Sequence, residues 1–258
     1  MRFGFVILLG ACGRLGFGAS GTTDAAPGPS YQEAVLADQP LAYYRFEETA
    51  GAVAVDSSGH GNDCTYRVNG GTIDYAVAGA LPDPSNHAIG FAGLGNPGGG
   101  TEAYARFPST VYPWSGDFTI ELWIAPGMSP PMNWDNSLVV SEVYPTSGFR
   151  TGWTVDLLPE LWTTESGGTA DLLAATPMLA GAWNHLAFTK HGASVTIYLD
   201  GASIATGDID YVVPPPVADG GIGSLEGMPS SGRFDEVAIY GVALSPAQIA
   251  AHVAASRS

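Results

Sequence analysis

Hydrophobic and polar positions alternate in short bursts along this chain. Between residues 118 and 124, Phe118, Ile120, Leu122 and Ile124 fall on one face of an extended segment, and Thr119, Glu121 and Trp123 on the other. Residues 186–190, 195–199 and 234–240 repeat that period. Weaker patterns at 42–47, 88–91, 103–107, 138–143, 153–157 and 170–174 predict further strands. Lys190-His191-Gly192-Ala193 and Asp200-Gly201 suit tight hairpin turns. Asp235 and Glu236 are adjacent in a strand pattern, which puts them on opposite faces.

Helical signals are confined to the two ends of this region. Ser245-Pro246-Ala247-Gln248 offers a capping serine, a proline at the first helical position and a glutamine three residues after the cap. It opens a helix in which Ile249 and Val253 share a face. A shorter helix over 31–37 stops before Pro40. Many short strands bracketed by two short helices predict an all-β fold, a two-sheet antiparallel sandwich or a barrel, in one domain over 31–258.

Charge narrows the partners. Nine basic against 25 acidic residues give a net charge of −16, and Lys190 is the one lysine. Such a surface repels phosphate backbones and anionic lipid, which argues against nucleic acid and against electrostatic membrane docking. The N-terminus adds an address. Arg2 precedes the apolar run 3–9, which ends in Leu9-Gly10-Ala11-Cys12, a pattern resembling a bacterial lipobox. Residues 1–11 are then a lipoprotein-like signal peptide, Cys12 the lipidated residue, and 12–30, rich in Gly, Ala, Ser, Thr and Pro, a flexible tether. The expectation is export to a bacterial cell envelope or outer membrane as a lipoprotein, or otherwise secretion, with membrane contact only through lipid on Cys12. Cys64 is left as an unpaired thiol, which favours burial.

Several segments, in order, resemble the laminin-G-like, concanavalin A-like jelly-roll domains of bacterial secreted proteins. They are Pro40-Leu-Ala-Tyr-Tyr-Arg-Phe-Glu-Glu48, Asp56-Ser-Ser-Gly-His-Gly-Asn62, Phe118-Thr-Ile-Glu-Leu-Trp-Ile124, Trp183-Asn-His-Leu-Ala187, Ile197-Tyr-Leu-Asp-Gly201, Phe234-Asp-Glu-Val-Ala-Ile-Tyr240 and Ala243-Leu-Ser-Pro-Ala-Gln-Ile249. The resemblance implies a concanavalin A-like jelly roll. That scaffold serves lectins, adhesion modules and some glycoside hydrolases, so it does not choose a function.

Calcium is the best candidate cofactor, since Asp56 to Asp63 supplies carboxylates, an amide and two glycines in a short span. The resemblance further implies a structural calcium where the first and last strands adjoin, which here carry Glu47 and Asp235. Asp56 and Asp235, with Asn62 and Glu47, are the expected ligands; Asp56 and Asn62 could equally bond their own turn. The five histidines show no zinc spacing. Sugar binding needs aromatic platforms beside polar groups. Trp134, flanked by Asn133, Asp135 and Asn136 in a non-periodic stretch, suits this, with Tyr144 and Trp162 as further candidates. Trp123, Trp183 and His185 are explained by packing. No run of alternate acids resembles the catalytic strand of hydrolases on this scaffold. The sequence thus points to an exported, non-catalytic module binding a glycan or a cell-surface protein. The alternative is a glycoside hydrolase whose acids come from separate strands.

Overall fold

A computed structural model describes residues 28–93, 101–111, 113–114, 116–127, 136–143, 147–165, 168–209, 220–224 and 230–257. Helix α1 (Tyr31–Ala37) precedes β1 (Ala42–Tyr44), β2 (Val53–Ala54), β3 (Cys64–Asn69), β4 (Thr72–Ala78), β5 (His87–Ala92) and β6 (Glu102–Phe107). Then come β7 (Phe118–Pro126), β8 (Asn136–Val143), β9 (Ser147–Trp153), β10 (Pro159–Glu165) and β11 (Gly168–Leu173). The chain continues through β12 (Asn184–His191), β13 (Ser194–Leu199), β14 (Ala202–Asp208), β15 (Gly220–Ile222), β16 (Gly232–Tyr240) and α2 (Pro246–Ala255).

Two eight-stranded antiparallel sheets form the expected sandwich. The first runs β14-β13-β12-β7-β16-β5-β4, with β1 also paired to β16; the second runs β11-β10-β9-β8-β15-β6-β3-β2. Between them Ile120, Leu122 and Ile124 of β7, Leu186 and Phe188 of β12, and Ile239 of β16 meet Ala105, Phe107, Leu138, Phe149 and Trp153 of the second sheet. Each large side chain so buried contributes about 1.5–3 kcal/mol. A second apolar layer covers the other face of the first sheet. There Trp123, Ala187, Tyr198 and Tyr240 pack under Tyr31 and Val35 of α1 and Ile249 of α2. This is why β7 is buried at every position although its sequence alternates.

Both helices begin with a reciprocal capping box, Ser30 with Glu33 and Ser245 with Gln248. At the β13–β14 hairpin, Asp200 and Gly201 have φ of 51° and 84°, the paired positive angles of a type I′ turn. Cys64 is buried and unpaired, and burial pushes its thiol pKa up.

One predicted strand is corrected. The segment 153–157 is a strand only at Trp153; beyond it Leu157 N–H donates to Thr154 O at 2.9 Å and Thr154 N–H to Leu158 O at 3.0 Å, closing a turn. The strand precedes it, as β9. Strands β3, β4, β10 and β14 were not expected: β3, β10 and β14 lack a clean apolar alternation, while β4 does alternate, Ile73, Tyr75 and Val77 against the exposed Thr72, Asp74, Ala76 and Ala78.

Candidate functional site

The helices lie on the first sheet, and the outer face of the second sheet carries a polar and aromatic row. Directly opposed positions link five strands: Asp171 of β11 to Trp162 of β10, Trp162 to Arg150 of β9, and Arg150 through position 140 of β8 to Gly221 of β15. Gly221 opposes Arg106 of β6, which opposes Thr65 of β3. Since directly opposed residues share a face, these side chains stand on one surface. Core-facing Leu161, Phe149, Ile222, Ala105 and Tyr66 alternate with them. Tyr104 and Arg67, a further opposed pair, extend the row along β6 and β3.

Trp162 is half-buried, and the Arg150 guanidinium carbon stands 4.8 Å from its ring centroid. That cation–π contact fixes the indole and covers one of its faces. Gly221 is required where it stands, because a Cβ there would fall 2.0 Å from Ser224 O and 3.3 Å from the Tyr104 ring. Ser224 Oγ in turn donates to Glu102 Oε2 at 2.7 Å.

A second polar centre lies on the opposite side of the molecule. The register of β16 against β7 shifts between Asp235 and Ala238, and Glu236 has φ 51°. This bulge overturns the expectation that Asp235 and Glu236 point apart. Phe234 and Val237 both enter the core, while both carboxylates turn to the outer side and meet Asn86. Asp235 Oδ2 accepts from Ala80 N–H at 2.8 Å, and Oδ1 is buried without a hydrogen-bond partner. Glu236 accepts from the Tyr43 hydroxyl and from Arg45 Nε at 3.2 Å; Arg45 also bridges to Glu47 Oε1 at 2.8 Å. Burial raises the pKa of both Asp235 and Glu236, and the charge of Glu236 adds to the rise at Asp235. A cleft of about 450 Å³, lined by Gln32, Arg45, Glu47, Asp83, Asn86 and Ser256 among others, opens beside this cluster.

Glu47 and Asp235 are thus brought into one cluster, and Asp56 and Asn62 are not. The Asp56 carboxylate accepts from four donors: Tyr43 N–H at 2.9 Å, Ser58 N–H at 2.9 Å, Ser58 Oγ at 2.8 Å and Asn62 N–H at 2.9 Å. Those hydrogen bonds outweigh burial and lower its pKa. Asn62 Oδ1 accepts from Thr110 Oγ1 at 2.7 Å, and its amide donates to Leu41 O at 2.9 Å. These two residues lock their own loop onto β1, which is the turn alternative. Among the described residues no three His, Cys, Asp or Glu side chains converge as a ready metal-ligand set. Asp235 Oδ1 is nevertheless an orphaned, buried carboxyl oxygen, and the charge of Glu47 and Glu236 beside it fits a hard cation.

Of the expected sugar contacts, Trp162 lies on this row and is half-buried. Asn133, Trp134, Asp135 and Tyr144 lie outside the described residues, as do Cys12 and the segment before residue 28. Trp123 packs beneath α1, and Trp183 lies against Arg233, 5.1 Å from the guanidinium carbon. The sequence did not single out Arg67, Tyr104, Arg106, Arg150, Arg45, Asn86 or Glu236. The i, i+2 spacing of Tyr104 and Arg106 opposite core alanines was the one available sign.

Residues 99–250 match the laminin-G family described as the concanavalin A-like lectin/glucanases superfamily, and the chain belongs to it. No curated protein matches. Domain 4 of AbnA, a GH43 extracellular arabinanase from Geobacillus stearothermophilus, solved with arabinotriose, is similar at TM-score 0.62 and 22% identity, over 83% of this chain and 98% of that one. The binding domain of Paraclostridial Mosquitocidal Protein 1 is similar at TM-score 0.60 and 19% identity, over 84% of this chain. The binding domain of Botulinum Neurotoxin DC, solved with SialylT, is similar at TM-score 0.62 and 12% identity, over 86% of this chain. The chain spans about half, 52%, of each of those two toxin domains. At these identities the likeness concerns the fold, a concanavalin A-like jelly roll.

Proposed function

We propose that this protein is an exported, non-catalytic binding module that holds a glycan on the outer face of its second sheet. The observation that carries the reading is the Trp162–Arg150–Gly221–Arg106 row, in which the half-buried Trp162 indole, its other contact the buried Arg150 guanidinium, stands on a sheet face that neither helix covers. A sugar ring offers an apolar face and a rim of hydroxyls, which an indole and nearby polar side chains can match. The fold is shared with domains solved with arabinotriose and with SialylT, which supports a glycan, and with one solved with rat synaptotagmin II, which supports a cell-surface protein as the other partner. A glycan array probed with the protein tests the reading. Binding without release of reducing sugar supports it, and silence across the array overturns it.

A structural calcium belongs to the same proposal. The residues that would hold it are Asp235 and Glu47, with Asn86 and backbone carbonyls completing the oxygen set. When bound it would neutralise carboxylates that now rely on Arg45. Export with lipid on Cys12 is the proposed address. The protein should partition into detergent, and Cys12→Ser should release it to the soluble fraction; wild-type protein that is soluble, with a mature N-terminus beyond residue 12, ends that part.

The hydrolase alternative has one observation in its favour. Glu47, Asp235 and Glu236 do come from separate segments, and a cleft adjoins them. Against it, Glu236 is fully buried and held by Tyr43 and Arg45. Release of reducing sugar from a polysaccharide panel, lost in Glu236→Gln, would favour catalysis.

A further inference from the structure

Resting on the glycan-binding reading above, we infer that the glycan carries an uncharged apolar substituent, an alkyl or acyl group, held on Leu173 while the sugar ring lies at Trp162. Leu173 of β11 directly opposes Glu160 of β10, and Trp162 stands two residues further along the same face of β10. Diagonal neighbours of this kind lie about 7–8 Å apart, within reach of an aromatic and a long side chain. Arg150 takes the β9 side of the indole. Apolar surface therefore continues from the ring towards Leu173, which is 51% exposed.

That surface extends past Leu173 to the end of the sandwich. Ala174 N–H donates to Pro159 O at 2.9 Å and Met178 N–H to Leu157 O at 2.9 Å, which seats the crossing from β11 to β12 against the β9–β10 turn. The turn exposes Val155, at 56%, and the crossing exposes Leu179, at 67%. Three of the seven large hydrophobic side chains exposed among the described residues thus come from this one end. Scattered singly they would need no account; beside an aromatic platform they enlarge it. Residues 172–182 carry no charge and a single hydroxyl, Thr176, so they offer sugar hydroxyls one side-chain partner. Alkyl carbon suits them better. Asp156 is exposed in the turn and the chain's net charge is −16, which disfavours an anionic substituent there.

The test titrates the protein with methyl, butyl and octyl glycosides of glucose, galactose and N-acetylglucosamine, below their micelle concentrations, and with acetylated and deacetylated xylan. Wild type should bind at least one substituted member at least tenfold tighter than its unsubstituted partner. A gain that grows from methyl to octyl identifies a lipid-linked glycan, and one confined to acetylated xylan an O-acylated glycan. Leu173→Ser and Leu179→Ser, with melting temperatures checked against wild type, should each lose most of the gain. Val242→Ser should keep it. Val242 lies by Thr119 at the start of β7, whereas the crossing meets the end of that strand, where Gly181 N–H donates to Pro126 O at 3.0 Å. Three results would overturn the inference and leave the glycan reading standing: equal affinity within every pair, a gain kept by both leucine variants, or 1-octanol bound as tightly as the octyl glycosides. No binding to any glycan would overturn both.

Discussion

The imidazole of His252 and the carboxylate of Glu121 meet inside the protein, Nδ1 standing 2.9 Å from Oε1 and 3.0 Å from Oε2. On its other side Nε2 lies 3.1 Å from Asp38 Oδ2. A ring with a carboxylate at each nitrogen must donate from both, so His252 is an imidazolium. It ties α2 to β7 and to the residue that ends α1. Gln248 Nε2, donating to Asp38 Oδ1 at 2.9 Å, adds a second strap. The two helices that cover Trp123 and Tyr240 are thus joined through one charged side chain.

That clasp predicts a pH dependence. Burial by itself would lower the pKa of His252; the bonds to Glu121 and Asp38 outweigh it, and the pKa is raised. A raised folded pKa gives stability that is complete below the unfolded value of about 6.5 and is lost as pH rises through the folded value. Glu121 is bonded by His252 and Tyr240 and lies 3.6 Å from His185 Nε2; despite burial its pKa falls to about 2, so it stays charged throughout that window. Tyr31, also packed there, has its pKa raised by burial and by Glu121, and stays neutral. Melting temperature should decline from pH 6.5 towards pH 9 in wild type, and less so in His252→Gln. A parallel decline in both would place the titration elsewhere.

Removing the ring altogether should be costly. His252→Ala leaves Glu121 buried without its main counter-charge, a loss of about 3–5 kcal/mol. For a domain of this size each kcal/mol is about 2–4 °C, so calorimetry should show a fall of about 6–20 °C. A fall of only a degree or two would mean that Glu121 finds another partner.

Asp235 and Asp56 should respond differently to calcium. Calcium in millimolar excess over EDTA should raise the wild-type melting midpoint by about 5–11 °C, since a ligand at a hundred times its dissociation constant adds about 2.7 kcal/mol. Asp235→Asn should hold its stability in EDTA, because a neutral amide oxygen can still accept from Ala80 N–H and puts no charge beside Glu236, and should lose the calcium increment. Asp56→Ala should lower stability in both conditions by about 1–3 kcal/mol per donor left unsatisfied, yet keep the increment. The reverse pattern would return Asp56 to the ligand set.

Gly79 offers an independent handle on that cluster. A Cβ there would fall 1.9 Å from Asn86 Oδ1 and 2.8 Å from Asp235 Oδ2. Gly79→Ala should displace Asn86, lower the melting temperature and abolish the calcium increment together. An unchanged increment would show that Asn86 takes no part in it.

The fold was legible where one side of a strand meets the core and its motifs keep their order, as in β7, β12, β13 and β16, and where caps such as Ser245 with Gln248 mark a helix start. In the second sheet β6 was legible, since Tyr104 and Arg106 alternate with Ala103, Ala105 and Phe107, whereas β3, β9 and β10, which carry Arg67, Arg150 and Trp162, hold too few apolar residues to show a period. The candidate sites were less legible still. A strict two-residue period separates Asp235 from Glu236, and only the bulge, with its positive φ at Glu236, puts them on the same side. The Asp56 loop carries the residues of a cation site in its sequence, yet spends its carboxylate on four backbone and hydroxyl donors. The open row is assembled from β11, β10, β9, β15, β6 and β3, and no linear motif spans them.

The central claim is that the outer face of the second sheet binds a glycan through Trp162. Titration calorimetry of the best array ligand against wild type, Trp162→Ala and Trp183→Ala tests it most directly. Trp183 is the control, since it stands on the far side of the molecule against Arg233. Trp162→Ala should weaken binding at least tenfold, about 1.4 kcal/mol, with its melting temperature little changed, while Trp183→Ala binds as wild type does. Full affinity in Trp162→Ala, or an equal loss in Trp183→Ala, would contradict the account.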